Sequence, residues 1–488
     1  MEITKIKEKI RKKLKEKCNI QKYDVIIFLI VFVIYVIGLM CFFPGLLTSD
    51  NVDQINQAMN NLYTQGHPII HSFIIGNLTK LGGIWVPALF QIITFALIWT
   101  YICKILRKYN DKKSNKVMQI IITVMICITP LNFLYSITLW KDILYSYAIL
   151  LLLVLIYIGI KEKYKYTNAQ IVLISLSTVS IMKFRHNGLP IGLLMFGILF
   201  LLNLIKNKDK KSLAKMFITF IAIFGVMNFT EMAVNKVPTT PGGNVLNSTK
   251  VYCFGALLNE DIQLEDDEKE FLNTILDLEE WKKNFNPYDG TPILFNPNID
   301  HSILKNDQNI KRFNEIFFKY ANQHKKQVIK HFLNINSIWW SIEEKGGMHS
   351  VVLSNSWVSE MSNGVYDNKP IIDIGNRALI EITNITLENK LLYEIIYRPA
   401  TAMYISIIIA IYIIIKSRKV GEKGCIMLLF PMLLNIGTYV ILISSQDHRY
   451  FYPSHITEYF LILVFVNIFT NTKHNFFKRK DNIEKREI

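Results

Sequence analysis

The sequence predicts an all-α polytopic membrane protein with about ten transmembrane helices and a soluble domain of mixed secondary structure on the outer face. Three observations predict this fold class. The 488-residue chain is 51% hydrophobic and has a mean hydropathy of +0.25. Its apolar residues form runs of about 18 to 22, enough to cross roughly 30 Å of hydrocarbon. Loops rich in lysine and arginine alternate with loops that are not.

The apolar runs place the predicted spans along the chain. They are Val25–Phe43, Ile84–Cys103, Val117–Ile137, Ile143–Ile160, Ile171–Met182, Leu189–Ile205, Met216–Val234, Thr401–Ile415, Cys425–Ser444 and Ile456–Phe469. The fifth run is short, and we expect it to extend over residues 168–170 and 183–184.

Basic residues are concentrated in the N-terminal arm, in the C-terminal tail and in every second loop. The net charge of +16 therefore follows the positive-inside pattern of membrane proteins and does not predict nucleic-acid binding. This pattern predicts a multi-pass protein of the cell membrane with both termini in the cytoplasm. The outer loops are then Pro44–Gly83, Thr138–Asp142, Lys183–Gly188, Asn235–Ala400 and Ser445–His455.

The segment 235–400 is polar and long enough for a core of its own. It divides the chain into a membrane module over 1–234, an extracytoplasmic domain over 235–400 and a membrane module over 401–488 with a basic cytoplasmic tail. Within the domain, apolar spacing predicts helices over Asp261–Lys283 and Phe313–Leu333, and weak alternation favours a strand over Ser350–Val358.

Ionisable side chains from four separate loops are predicted to meet at the outer face. The first loop (44–83) supplies Asp50, Asp53, His67 and His71; the others supply Lys141, Asp142, Lys183, Arg185, His186, Asp447, His448, Arg449 and Tyr450. Ionisable groups at a membrane interface favour a functional role. Carboxylates beside lysine and arginine suit an acid/base group and a clamp for phosphate oxygens.

Each candidate also has a purely structural interpretation. Asp50 or Asp53 could cap a helix over Gln54–Leu62, and Lys141 could pair with Asp142 or anchor the interface. Arg185 could extend along the surface to water.

Three further alternatives concern the remaining candidates. Arg449 could belong to an aromatic belt with Tyr450. His67 and His71 could bind a metal, although no third ligand is evident. Glu231 could be a capped polar group or a contributor to the site.

The loop motifs resemble the GT-C class of membrane glycosyltransferases, which includes protein O-mannosyltransferases and the aminoarabinose transferases of lipid A. Ser49-Asp50-Asn51 stands where that class carries an acidic pair, Gln54–Leu62 looks like its juxtamembrane helix, and Gly66-His67-Pro68 looks like the turn that follows. The loops Trp140-Lys141-Asp142, Arg185-His186-Asn187-Gly188 and Arg449-Tyr450-Phe451-Tyr452-Pro453 look like a bacterial branch of the class, as do Trp281–Tyr288 and Phe317–Trp340. Asn51 departs from the acidic second position.

The resemblance implies an inverting glycosyltransferase that uses a polyprenyl-phosphate-linked sugar and a cell-envelope polymer or glycolipid as acceptor. It favours Asp50 as general base, with Asp53 as the second choice. Lys141, Arg185 and Arg449 would then hold the donor phosphate, while His67, Asp142, His186 and Tyr450 would support the site. A divalent metal is not indicated by the sequence and is left open.

Two other function classes stay open. A transporter or flippase for a lipid-linked or anionic solute would also need basic groups near the membrane, but it predicts charges deep in the spans and paired broken helices. A non-catalytic assembly protein would use the outer domain to bind a cell-wall partner.

Overall fold

A computed structural model gives the fold of the chain. It describes residues 21–64, 66–234, 245–260, 262–346, 351–360, 365–419 and 424–484, and the side chains of these residues except 245–247, 441 and 471–484. Within these ranges the regular secondary structure is helical, and the β contacts are isolated bridges. The mixed content predicted for the domain 235–400 is therefore wrong for the described part of the chain.

The helices follow one another through short connections. The first ten are Lys22–Cys41 (α1), Ser49–Asn60 (α2), Ile69–Gly82 (α3), Trp85–Tyr109 (α4), Lys113–Ile128 (α5), Pro130–Ile137 (α6), Lys141–Lys161 (α7), Asn168–Phe184 (α8), Gly188–Lys206 (α9) and Lys210–Val234 (α10). The next are Val245–Leu258 (α11), Asp266–Asn273 (α12), Leu278–Lys283 (α13), Thr291–Leu294 (α14), Asp307–Gln323 (α15), Lys325–Ile335 (α16), Ser337–Trp340 (α17), Ser356–Glu360 (α18), Asp373–Glu388 (α19), Lys390–Ile396 (α20), Pro399–Lys419 (α21), Phe430–Leu442 (α22) and Tyr452–Glu484 (α23). Three 3₁₀ turns lie at Ile303–Lys305, Cys425–Leu428 and His448–Phe451.

Seven helical segments of the described chain are long and apolar enough to cross a membrane, or eight if α5 and α6 form one bent span. The seven are Lys22–Cys41, Trp85–Tyr109, Lys141–Lys161, Gly188–Lys206, Lys210–Val234, Pro399–Lys419 and His448–Thr470. Two shorter apolar helices, Asn168–Phe184 and Phe430–Val440, coincide with the fifth and ninth predicted spans. A polytopic all-helical chain is thus confirmed, whereas a count of about ten spans stays a prediction.

The third predicted span is broken rather than continuous. Its two helices meet at an angle of 68°, and the residue between them, Thr129, has an extended backbone with φ −62° and ψ 121°. Pro130 follows, and proline both lacks the N–H that a continuing helix needs and disfavours a helical conformation in the preceding residue. The hydropathy of this run predicted its length but not its bend.

Helix α7 is the centre of the bundle. Of its most apolar stretch, 94% is buried inside the protein, and it packs against α4, α8 and α23. By contrast only 6% of the corresponding stretch of α10 is buried. An apolar helix this exposed would be unstable facing water, so this face suits contact with lipid. The central position of α7 fixes the residues at its N-terminus, Lys141 and Asp142, in the interior of the protein.

Both helices predicted in the 235–400 domain are interrupted. In place of Asp261–Lys283 there are α12 and α13, because the Asp277 side chain accepts hydrogen bonds from the backbone of Glu279 and Glu280 and starts a new helix. In place of Phe313–Leu333 there are α15 and α16, separated by His324 in a non-helical conformation. Asp261 itself lies outside the described residues.

The strand predicted over Ser350–Val358 is also wrong for the part that the structure describes. Residues 351–355 have no regular structure, and α18 begins at Ser356. Ser350 lies outside the described residues, as do the basic arm before Gln21 and the last residues of the basic tail. The division of the chain into three modules stays a prediction.

Candidate active site

Two loops are joined side by side at one end of the bundle. The backbone N–H of Leu46 donates to the Ile137 carbonyl at 3.0 Å, and the N–H of Leu139 donates to the Leu46 carbonyl at 3.2 Å. The Gln91 side chain reinforces this join by donating to the carbonyl of Thr138 at 3.0 Å. The start of α2 is therefore held next to the start of α7, and the first two predicted outer loops do meet.

Thr48, and neither Asp50 nor Asp53, is the N-cap of the helix that follows the first loop. This helix begins at Ser49, so both aspartates lie inside it and the predicted capping roles are wrong. The cap is completed by Asn51, whose Oδ1 accepts from the Thr48 N–H at 3.0 Å. A carboxylate in the first turn is also favoured by the helix dipole.

Asn51 is a structural residue. Its side chain is fully buried, and its Nδ2 donates to the Leu139 carbonyl at 2.8 Å. The indole N–H of Trp140 donates to Thr48 Oγ1 at 2.9 Å. Asn51 therefore ties α2 to the residues before Lys141, a bond that needs an amide donor and that an ionised carboxylate could not make. This accounts for the asparagine at the position where the resembling class has an acid.

Asp50 is shared by two cations. Lys141 Nζ and Arg449 Nη1 each lie 3.0 Å from Asp50 Oδ2. Burial favours the neutral acid, but Lys141, Arg449 and His67 outweigh it and hold the pKa of the Asp50 carboxyl well below its ordinary range. Asp50 is thus an ionised carboxylate whose partners come from two distant helices.

Arg449 is positioned by a second carboxylate and by two rings. Its Nε lies 2.6 Å from Asp447 Oδ2, and its guanidinium carbon lies 5.2 Å from the ring centre of Trp140 and 5.3 Å from that of Tyr450. The planar guanidinium can serve Asp50 and Asp447 at the same time, which a lysine could not do. Asp447 was noted in the sequence, but it was not among the predicted site residues.

Asp53 belongs to a second acidic position on the open side of α2. Its side chain is 57% exposed and lies 3.1 Å from His67 Nε2, and Gln57 Nε2 donates to it at 2.7 Å. The other His67 nitrogen, Nδ1, lies 3.4 Å from Lys141 Nζ. Because an ammonium only donates, Nδ1 accepts and Nε2 carries the proton toward Asp53. Burial and the charge of Lys141 lower the pKa of His67, so its imidazole is neutral. The ring contacts Asp53 directly and is connected to Asp50 through Lys141.

His71 does not join His67. It is fully buried, its Nδ1 lies 3.2 Å from Gln54 Nε2, and its ring packs edge-on against Phe184. Among the described residues, no group of three or more His, Cys, Asp and Glu side chains is arranged to hold a metal ion. The paired-histidine alternative therefore gains no support from the geometry.

Arg185 lies in a buried pair that is separate from the group formed by Asp50, Lys141, Arg449 and Asp447, here called the Asp50 cluster. Its guanidinium contacts the Asp142 carboxylate, and the two side chains are 9% and 1% exposed. Its Nε also donates to Asn187 Oδ1 at 3.2 Å. Arg185 therefore does not extend along the surface, and Lys141 and Asp142 pair with different partners rather than with each other. Its role as a phosphate ligand stays a prediction.

Tyr450 is close to both arginines. Arg185 lies 5.0 Å from its ring centre, and Arg449 lies 5.3 Å from it. The ring also stacks on Tyr439, with a centroid separation of 5.0 Å and an interplanar angle of 8°. Tyr450 thus connects the buried pair to the Asp50 cluster, as a supporting residue would.

His186 and Glu231 are two further candidate residues. His186 is exposed and close enough to His67 to lower the pKa of that ring. Glu231 Oε2 lies 2.5 Å from Lys183 Nζ. Glu231 and Lys183 therefore pair with each other, which favours the structural interpretation of Glu231.

The Asp50 cluster lies along one side of a cavity of about 590 Å³. Asp50, Asp447 and Arg449 supply its charged side. Its other walls are mainly apolar and are formed by Leu47, Trp140, Val351, Val352, Leu353, Trp357 and Val358. The cavity therefore suits a ligand that is charged at one end and apolar at the other.

The apolar wall at residues 351–358 was not predicted from the sequence. It is held over the first loop by Asn355, whose Oδ1 accepts from the Leu47 N–H at 2.8 Å and whose Nδ2 donates to the Gly45 carbonyl at 3.0 Å. Asn368 adds a bond to the Phe42 carbonyl at 3.0 Å. An asparagine in a polar segment carries no sequence signal for such a contact, because its partners are backbone groups more than 300 positions away.

Comparison with known proteins places the chain in a family. A family model matches residues 58–481, a stretch that includes His67, Lys141, Arg185 and Arg449 and begins after Asp50 and Asp53. Neither curated proteins nor solved structures gave a match. Because the match covers most of the chain, the protein belongs to DUF6020, a family of unknown function.

Proposed function

We propose that this protein is an inverting glycosyltransferase that moves a sugar from a polyprenyl-phosphate donor to a cell-envelope polymer or glycolipid. In this proposal the chain crosses the cell membrane about ten times, with both termini in the cytoplasm and the Asp50 cavity on the outer face. The observation that supports it best is the cavity itself, where Asp50, Asp447 and Arg449 lie opposite an apolar wall and Lys141 is bound to Asp50.

The composition of the cavity matches a lipid-linked phosphate. Lys141 and Arg449 can donate charge-assisted hydrogen bonds to phosphate oxygens, and the guanidinium can do so with two parallel bonds. The wall formed by Val351, Leu353 and Trp357 can contact the first isoprene units, since apolar surface is favourably removed from water. A soluble nucleotide sugar would leave this wall without a partner.

The resting ion pairs suggest how Asp50 becomes a base. With Lys141 and Arg449 bound to it, Asp50 has a depressed pKa and is a weak base. When the donor phosphate takes over these cations, Asp50 loses their stabilisation and its pKa rises. Donor binding and base activation are then one event, so the acceptor is deprotonated only when the donor is in place.

The transfer step follows from this exchange. The acceptor hydroxyl oxygen attacks the anomeric carbon, the bond from that carbon to the phosphate oxygen breaks, and the configuration inverts. Asp50 takes the hydroxyl proton, a contribution of about 10²–10⁴-fold in rate. Lys141 and Arg449 stabilise the charge that develops on the departing phosphate. His67 and Asp53 hold Lys141 from the far side.

The proposal is tested by reconstitution. The purified full-length protein is placed in liposomes with polyprenyl-phosphate-linked sugars, with envelope glycans from cells lacking the protein as acceptor, and released polyprenyl phosphate is measured. Asp50→Asn should abolish release, whereas Asp53→Asn should keep at least about a tenth of it, because Asp53 acts only through His67.

Two outcomes would contradict the proposal. Full activity of a well-folded Asp50→Asn protein would remove Asp50 as the base. Movement of the intact lipid-linked sugar across the bilayer, with no polyprenyl phosphate released, would instead identify a flippase. If polyprenyl phosphate is released as expected, a change in the glycan profile of the cell envelope on loss of the protein would identify the acceptor polymer.

A further inference from the structure

A second cavity, separate from the Asp50 cluster, lies in the 235–400 segment. Its volume is about 320 Å³, and it is formed where α11 and α16 meet the loop after α13. Four of its lining side chains are amides or acids, namely Asn259, Glu260, Gln327 and Asn334. This is the size of a small-ligand pocket, with more hydrogen-bonding groups than a mainly apolar pocket carries.

His331 in this cavity is a buried polar group without a full set of partners. It is 3% exposed, and within the described residues neither ring nitrogen has a hydrogen-bond partner at 3.5 Å or less. The nearby Pro287 backbone attracts its proton, but burial dominates and lowers the pKa of the ring to about 4. At neutral pH the imidazole therefore has one donor and one acceptor, both enclosed by the protein and neither in a hydrogen bond of good geometry. Buried polar groups of this kind need a partner.

The charge and shape of the cavity restrict the class of that partner. Glu260 and Lys330 both line it and have opposite charges, so the cavity favours no net charge on its ligand. Phe285 and Tyr288 give it an aromatic side. Side-chain amides, which donate and accept, and a carboxylate, which accepts, suit the vicinal hydroxyls of a sugar ring, and the aromatic side suits its apolar C–H face.

The second cavity is connected to the first through one short segment. Gln446 Nε2 donates to the carbonyl of Asn334 at 3.1 Å and to Ser337 Oγ at 3.0 Å. The next residue along the chain, Asp447, lines the first cavity and pairs with Arg449. A ligand in the second cavity therefore lies on the part of the protein that directly supports the Asp50 cluster.

We propose that the second cavity binds one or two residues of a neutral glycan, and that this glycan is the acceptor of the sugar transfer. Its role as acceptor rests on the function proposed above, whereas its binding does not.

Equilibrium binding to the purified full-length protein in nanodiscs tests the proposal. The probes are uncharged disaccharides, the corresponding uronic acids and a neutral tripeptide. A disaccharide should bind, and Gln327→Ala should weaken its binding about 3- to 10-fold, as expected for the loss of one hydrogen bond. His331→Phe should weaken it at least as much, while the unfolding temperature stays the same or rises, because a buried and unpaired imidazole is replaced by an apolar ring.

The controls separate this inference from the proposed function. Asn322→Ala, on the exposed side of α15, should leave binding unchanged. Asp50→Asn should abolish transfer and leave binding of the disaccharide intact. Tripeptide binding in place of sugar binding, tighter binding of uronic acids, or sugar binding that is unaffected by both Gln327→Ala and His331→Phe would each overturn the inference. Transfer activity that survives Asp50→Asn would overturn the proposed base and leave the glycan site standing.

Discussion

Asp50 and Arg449 are 399 positions apart in the sequence, and their side chains meet at 3.0 Å. Asp50 lies in the first turn of the helix after α1, and Arg449 lies in the 3₁₀ turn before the last helix. One ion pair at the candidate site therefore joins two segments that are far apart in the sequence. Lys141 adds a third helix to the same carboxylate oxygen, so the site depends on the packing of the bundle as a whole.

The arginine at 449 should not be replaceable by lysine. Arg449 donates a hydrogen bond to Asp50 through Nη1 and forms an ion pair with Asp447 through Nε, and a single ammonium cannot keep both contacts. Arg449→Lys should lower kcat/KM of the proposed transfer by about 10²-fold with little change in unfolding temperature. Arg377→Lys provides the matched control, since that arginine is 71% exposed. Equal activity of the Arg449→Lys and Arg377→Lys proteins would contradict a phosphate-binding role for Arg449.

Restoring the acid that the resembling class carries should damage this protein. Asn51→Asp replaces the donor to the Leu139 carbonyl by an acceptor and buries a charge. We expect the free energy of unfolding to fall by about 1–3 kcal/mol or more and the unfolding temperature in detergent to fall with it. Asn60→Asp, at the exposed end of the same helix, serves as control. An Asn51→Asp protein as stable as the parent would show that this buried position tolerates a carboxylate.

Stability should fall in mild acid through His71. Burial lowers the pKa of His71 to about 3, from 6.5 in the unfolded chain. As the pH falls below 6.5, the unfolded state binds a proton at this histidine and the folded state does not. The free energy of unfolding therefore falls by up to about 1.4 kcal/mol per pH unit until the pKa of the folded state is reached. His71→Gln should reduce the drop in unfolding temperature between about pH 7 and pH 5. An identical pH dependence in parent and variant would exclude this source.

The sequence predicted those features that depend on residues close together in the chain. Hydropathy predicted the long apolar helices, and also that the helix at the fifth predicted span extends over Asn168–Phe184, because burial and helix length depend on consecutive residues. Charge alternation grouped Asp50, Lys141 and Arg449 into loops on one side, and the structure brings these three together. That Lys141 and Arg449 contact Asp50 whereas Arg185 pairs with Asp142 could not be predicted, since pairing depends on how the helices turn and tilt.

The remaining misses have the same origin. Asn51, Asn355 and Asn368 hold distant backbone segments together, and an amide has no periodicity that would reveal its partner. Arg185 and Lys141 are both cations at a helix end, yet one pairs with a buried carboxylate and the other pairs with Asp50, which lines the cavity. Only the orientation of α7 and α8 separates these roles.

The Asp142–Arg185 pair should behave as a buried ion pair rather than as part of the donor site. Its side chains are 1% and 9% exposed, so removing one partner leaves an uncompensated buried charge, at a cost of about 3–5 kcal/mol. Asp142→Asn and Arg185→Gln should therefore each lower the unfolding temperature strongly, and the double variant should recover most of the loss, because both charges are then gone. Lys390→Gln, which breaks an exposed pair with Glu343, should leave the unfolding temperature unchanged. If the double variant is stable but has lost donor binding, Arg185 also contacts the phosphate. If it regains both stability and transfer, the pair is structural and the donor phosphate is held by Lys141 and Arg449 alone.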